Sequence, residues 1–256
     1  MSPPSSQKKP SMFCFSETSE YFEVSDSSFS FDAEWTDEHS RLYESVFLHD
    51  LLNSAGGLRG YLELIGETEN ISSLKKYASN SLVLCDSLID EIEYHRQFLR
   101  TKDGSFDLGL AETTTTEILQ LTALTLDKHA VSKNRNIEIS IDCSEKIQTD
   151  KVLISRLLVN LTKNAIEATD DGGIVFVGAD KLGDKIRFAV HNSAVISEEV
   201  KNRLFKSQFS TKGNNRGLGL FSIKMLCEKL GGMLGFISND ENGTCFFIDL
   251  PLRPKD

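Results

Sequence analysis

The sequence predicts a helical hairpin followed by an α/β sandwich, an α + α/β chain. In two stretches joined by a short polar break, apolar residues recur every three or four positions. From about residue 106 that rhythm gives way to mixed strand and helix patterns. The 256 residues are 39% apolar, enough to build cores for two modules. The expected division is a disordered tail over 1–35, a hairpin over 36–102 and a mixed module over 106–256.

The first 34 or so residues are Ser-rich, hold Pro3, Pro4 and Pro10, and show no sustained period. A mostly disordered tail is expected. Phe13, Phe15, Phe22, Phe29 and Phe31, interleaved with acids, also suit docking to a partner or folding back on the body.

Thr36 can cap a helix whose first turn carries Asp37 and Glu38, acids that complement its positive end. Leu48, Leu51, Ala55, Leu58, Leu62 and Ile65 then form a seam. After a break at Gly66 to Asn70 the rhythm resumes through Ile71, Leu74, Ala78, Cys85, Leu88, Ile92 and Leu99, reinforced by Leu82 and Ile89. Two long helices joined this closely fold back antiparallel, each with more apolar face than one neighbour covers. A homodimer built on a four-helix bundle is expected; packing of one hairpin on the second module is the alternative.

In the mixed module, Thr114-x-x-Glu117 is a capping-box signature opening a helix to about Ser132. Ile137, Ile139 and Ile141 alternate as a strand, and a helix covers about 149–169. Strands follow at about 173–178 and 184–192, then a loop-rich stretch, a helix at about 217–230, and strands near 233–238 and 244–250.

A net charge of -10 and a pI near 5.1 repel phosphate backbones, so nucleic acid is not an expected partner. No apolar run approaches the ~20 residues that span a bilayer, and the polar start lacks a leader pattern, so no membrane insertion and a cytoplasmic location are expected. Cys14, Cys85, Cys143, Cys227 and Cys245 are odd in number and without a C-x-x-C pair, which argues against a disulfide framework. Cys14 is expected in the mobile tail and exposed.

On the helix over 149–169, Ile154, Leu157, Leu158, Leu161 and Ala165 form the buried stripe, while Asn160, Asn164 and Glu167 share another. An asparagine carbonyl is a hard oxygen ligand suited to Mg2+. Taken alone, that face fits a pocket wall and a solvated surface equally. Downstream, Phe205-x-x-x-Phe209-Ser210-Thr211-Lys212-Gly213 and Arg216-Gly217-Leu218-Gly219-Leu220 favour the pocket. Glycines let backbone amides approach phosphates, a helix start near Gly217 is positive, and Lys212 or Arg216 can neutralise phosphate charge. Gly213-Asn214-Asn215 suits a lid. Upstream, His49 follows a core position of the seam and should project outward, with Asp50 and Asn53 beside it. His95 reads as packing, and His39, His129 and His191 have no constellation.

With these motifs in this order, the region from about 42 to 252 resembles the catalytic core of a sensor histidine kinase, whose ATP-binding domain is of the Bergerat type shared with gyrase, chaperone and mismatch-repair ATPases. The resemblance implies that His49, Asp50 and Asn53 belong to the histidine box, with His49 the phosphate acceptor, Asp50 its base or tautomer holder, and Asn53 orienting a water for dephosphorylation. Asn160 and Asn164 match the asparagine box, Asn164 as the Mg2+ ligand. Phe205 and Phe209 match the phenylalanine box, and Gly217 and Gly219 the glycine-rich lid. It further implies ATP as the phosphoryl donor and a response-regulator receiver domain as partner. Input would come through a separate sensor protein or the tail.

Two departures stand out. Where the family has an adenine-reading aspartate, this chain has Val190-His191-Asn192-Ser193-Ala194-Val195-Ile196, and alternation through Phe188 and Val190 turns Asn192 inward. An asparagine can accept from the adenine amine and donate to a ring nitrogen. The form is similar to a subgroup of histidine kinases with His-Asn-x-x-Val-Ile and a Ser-Thr-Lys-Gly lid. Ser54 replaces the proline common after the histidine box. Three functions are therefore weighed: a histidine kinase, a non-catalytic or phosphatase-biased dimeric scaffold, and a hydrolytic ATPase. The last is disfavoured because Asn160 stands where such hydrolases place a glutamate.

Overall fold

The computed structural model describes Cys14 and residues 22–23, 37–102, 108–128, 136–141, 143–201 and 218–253. Helices α1 (Asp37–Glu67) and α2 (Ile71–Lys102) form the hairpin. Asn70 ends the turn: its Oδ1 accepts from Ser73 N at 3.1 Å, satisfying a free amide of α2. The antiparallel register shows in two pairs. Phe47 stacks on His95 with ring centroids 3.8 Å apart, and lower down Ser54 Oγ donates to Glu91 Oε1 at 3.3 Å.

The seam residues divide between two faces. Leu51, Ala55, Leu58 and Ile65 are half-buried, whereas Leu48, Leu52, Leu62, Leu82, Ile89 and Ile92 are each more than half exposed. One hairpin thus leaves an apolar flank uncovered.

The mixed module holds β2 (Ala111–Thr114), α3 (Thr115–Lys128), β3 (Asn136–Ile139), β4 (Lys146–Thr149), α4 (Lys151–Ala168), β5 (Ile174–Leu182), β6 (Lys185–Asn192), α5 (Glu198–Lys201), α6 (Leu218–Lys229), β7 (Met233–Asn239) and β8 (Gly243–Pro251). The capping box is reciprocal: Glu117 N donates to Thr114 Oγ1 at 3.2 Å and Thr114 N to Glu117 Oε2 at 3.4 Å. With β1 (Phe22–Glu23), the main sheet has the order β1-β7-β8-β6-β5-β3. Only β3 and β5 pair in parallel, and β2 and β4 form a separate small sheet.

Strand alternation gives the main sheet two faces. Phe188 and Val190 of β6 and Ile248 and Leu250 of β8 join Ile118 and Leu119 of α3, Ile154, Leu157, Leu158 and Leu161 of α4, and Ile223 and Leu226 of α6 in one core. Ala189, Ile237, Cys245 and Phe247 point the other way. There Arg187 and Asp249 form a buried bidentate pair at 2.7 and 2.8 Å, with the guanidinium 3.7 Å from the Phe247 ring centroid.

Several expectations need correction. Cys14 is fully buried and disulfide-bonded to Cys245, and Phe22–Glu23 pair with Phe236 and Gly235, so these three residues are not disordered. The sequence reading missed this because a cross-link between distant positions leaves no periodic signal. It also missed β2 and β4, four residues each and too short for alternation to register. Ile141 lies beyond β3 and is largely exposed, and α5 interrupts the stretch expected to be loop. The rest of the tail and the Phe205–Gly217 segment lie outside the described residues.

Candidate active site

Helix α4 is set by its cap and its stripe. Asp150 Oδ1 accepts from Val152 N at 3.1 Å and Leu153 N at 3.0 Å. Ile154, Leu157, Leu158, Leu161 and Ala165 are buried, as expected, which rotates Asn160 and Asn164 to a half-buried flank and Glu167 to the exterior. Asn160 Nδ2 is buried and has no hydrogen-bond partner among the described residues. Because amide orientation follows from the surrounding network, the same position can present Nδ2 or Oδ1. A buried polar atom lacking a partner costs about 1–3 kcal/mol, so it marks a place for a polar ligand.

Asn192 meets the C-terminal end of the same helix. It is buried at the end of β6, and its Nδ2 donates to Ala165 O at 3.0 Å and to Thr169 Oγ1 at 3.1 Å. Both amide hydrogens are committed, so donation to an adenine ring nitrogen is not open to it. Its Oδ1 keeps the acceptor role that reading the adenine amine requires. Thr169 Oγ1 in turn donates to Ala165 O at 2.6 Å.

The lid residues Lys212, Arg216 and Gly217, with Phe205 and Phe209, lie outside the described residues. Leu218 and Gly219 form the first turn of α6, and Leu220 packs at the edge of the main core. The positive start of that helix thus follows directly on the glycine-rich segment.

His49 is exposed on α1, and Asn53 one turn on places Nδ2 3.1 Å from its Nδ1 and 3.2 Å from its Nε2. Which nitrogen accepts depends on the tautomer. Asp50 lies on the same helix, with its side chain outside the described set. His95 is the inward, packed histidine that the spacing predicts, and burial lowers its pKa from 6.5, offset in part by the charge of Glu44. His191 does have a contact, Nε2 to Asn242 O at 2.6 Å.

The two parts meet through Arg156 Nη2 and Glu93 Oε2, 3.0 Å apart. Arg156 is one turn ahead of Asn160. Its role was missed because an ion pair between modules is invisible to spacing within either one.

Residues 149–254 match the histidine kinase-, DNA gyrase B-, and HSP90-like ATPase family. Over 215 residues the chain is 24% identical to the sensor protein DegM of Bacillus sp. (strain B21-2), covering 81% of this chain and 54% of that one. It is also 25% identical to sporulation kinase B of Bacillus subtilis, covering 83% and 49%. Over most of its length the chain is thus similar to sensor kinases, and it spans about half the length of these two relatives. Its fold matches that of histidine kinase ThkA, solved in complex with the response regulator protein TrrA, at a TM-score of 0.57 and 23% identity over 84% of this chain and 61% of that one. The Acinetobacter baumannii histidine kinase AdeS gives a TM-score of 0.57 at 16% identity, over 80% and 98%.

Proposed function

We propose that this chain is an ATP-dependent protein-histidine kinase that phosphorylates its own His49 and passes the phosphoryl group to an aspartate of a response-regulator receiver domain. The observation that carries this reading is the level at which the ion pair sits. Phe47 meets His95 and Ser54 meets Glu91, so Glu93 lies at the height of His49 along the hairpin, and Arg156 holds the Asn160 helix there.

In this reading residues 36–102 are the phosphoacceptor module and 106–256 the ATP module. Asn192 Oδ1 accepts from the adenine amine, while Lys212, Arg216 and the amides of Gly217, Leu218, Gly219 and Leu220 surround the phosphates. The neutral His49 nitrogen attacks the γ-phosphorus in line, the bond to the β–γ bridging oxygen breaks, and ADP leaves. Asp50 takes the proton from, or fixes the tautomer of, the imidazole. Asn53 holds the ring and later orients the water for dephosphorylation. Asn164 and the Asn160 amide are a donor set that fits Mg2+ shared with phosphate oxygens; the ion, when bound, neutralises charge on the transferring group.

The exposed leucines and isoleucines on the flank of the hairpin support a homodimer with a four-helix bundle. Among the described residues no helix is long and apolar enough to cross a membrane. The need for ATP supports a reaction on the cytoplasmic side.

Incubation with γ-labelled ATP and Mg2+ tests the reading. Acid-labile, base-stable label is expected on wild type and absent from His49→Gln and Asn164→Ala. Tight nucleotide binding without label on wild type would replace the kinase by the scaffold or phosphatase reading.

A further inference from the structure

On β6, β8 and β7 the sheet face that packs on the helices is apolar until its last row. Val190, Phe246 and Phe236 are register partners across the three strands, and two residues further on the row is Asn192, Thr244 and Ser238. All three are more than nine-tenths buried. Hydroxyls this deep are costly unless their hydrogen bonds are made, so their partners matter.

Thr244 Oγ1 donates to Ala194 O at 2.7 Å. A carbonyl only accepts and a threonine has one hydroxyl hydrogen, so in the Ser238–Thr244 pair, 2.7 Å apart, Ser238 Oγ is the donor. Ser238 Oγ in turn accepts from Ile196 N at 2.9 Å. The bonds thus run in one direction, from Ile196 N–H through Ser238 and Thr244 to Ala194 O. They begin and end on the loop that follows Asn192. Residues 193–197 lie in neither helix nor strand, and the two side chains supply the bonds that a ladder would otherwise give. Val195, between the two clamped residues, is exposed. The Ser238 carbonyl also accepts from Lys201 Nζ at 3.0 Å, which ties the end of α5 to the same residue.

We infer that Ser238 and Thr244 are positioning residues for the nucleotide, a hydroxyl relay that holds the 193–196 loop ready for the purine base while Asn192 Oδ1 meets its amine. The inference rests on the nucleotide reading above and adds which residues keep the base end of the site in shape. A loop without the relay has to be ordered when the base arrives, and that ordering costs affinity. The phosphates and His49 are held by other elements, so the rate with the site filled does not depend on the relay.

The whole chain is titrated with ATP, and autophosphorylation is followed at rising ATP. Thr244→Val, which keeps the side-chain shape, and Ser238→Ala should each weaken ATP binding about fivefold and raise KM with it, leaving kcat within about twofold of wild type. Losing either link breaks the relay, so the double variant should bind no worse than the weaker single one. Thr244→Ser keeps the hydroxyl and should bind as wild type does. Thr122→Val removes a buried hydroxyl that bonds Ile118 and Ser155, outside this row, and should lower the thermal midpoint without moving ATP affinity. If a variant does not fold, hydrogen exchange of wild type decides: ATP should slow exchange of the Ile196 amide, and an amide indifferent to ATP would overturn the inference. So would unchanged ATP affinity in both single variants, additive losses in the double variant, or Thr244→Ser behaving like Thr244→Val, all with wild type binding ATP. Wild type that binds no ATP would remove the nucleotide reading itself and this inference with it.

Discussion

Arg156 of α4 and Glu93 of α2 join the nucleotide-binding half to the helical hairpin at the height of His49. Both side chains are about 40% exposed, at 42% and 38%, so solvent screening keeps the pair's contribution small, on the order of 0.2–1 kcal/mol. Its value is positional. Arg156→Ala should leave urea stability within about 1 kcal/mol of wild type yet slow autophosphorylation by up to about fivefold. The exchange Arg156→Glu with Glu93→Arg should restore most of the rate. A double-mutant cycle on the initial labelling rate reads the coupling.

Asn192 should not tolerate the aspartate typical of the wider family. A carboxylate there would face Ala165 O, which now accepts from Nδ2, and would lose that donor. Asn192→Asp should therefore cost about 1–3 kcal/mol in chemical unfolding and weaken ATP binding in a titration. Asn192→Ala should lose ATP affinity with a smaller stability cost, and wild type should prefer ATP to GTP because guanine presents a carbonyl where adenine has its amine.

Gly243 governs where Asn192 sits. Its φ of +77° is the left-handed region, and an added Cβ would collide with the backbone of Asn192 and Ser193. Gly243→Ala should lower stability by more than about 1 kcal/mol and reduce ATP affinity together. Thermal unfolding paired with nucleotide titration distinguishes this from Gly183→Ala, where φ is also positive at +59° but nothing crowds the site and nucleotide affinity should be unchanged.

His95 makes stability depend on pH. Burial, the larger cause, lowers its folded pKa below the ordinary 6.5, so the unfolded chain takes up its proton first. Stability is full above about pH 6.5 and falls as the pH drops from there toward the folded pKa. His95→Phe retains an aromatic ring against Phe47 and should flatten this part of the acid limb. Unfolding midpoints between pH 7.5 and 5 for the two proteins measure it. Burial also lowers His191, which adds a parallel slope that the His95 variant keeps.

Much of this was legible in the residues because it depends on local periodicity. The three-and-four spacing of the hairpin, the Thr114–Glu117 box and the α4 stripe each rest on contacts within a few positions; the structure has the two helices, the box and the stripe as read, whereas Leu48, Leu62, Ile71 and Ile92 of the seam are exposed. The inward turn of Asn192 follows from strand alternation alone. Its hydrogen-bond partners do not. Whether Nδ2 is spent on Ala165 and Thr169 or left for a nucleotide depends on how α4 lies against β6, which no spacing states.

The sequence by itself determined the two kinds of architecture, the stripe that presents Asn160 and Asn164, and the outward placement of His49, since each follows from the repeat of a helix or strand. Only the tertiary structure decided that Arg156 meets Glu93, that β2 pairs with β4, and that Cys14 returns to Cys245 across 231 residues of chain. Those contacts join segments far apart along the backbone, and their energy comes from surfaces that exist only after the sheet and helices have packed.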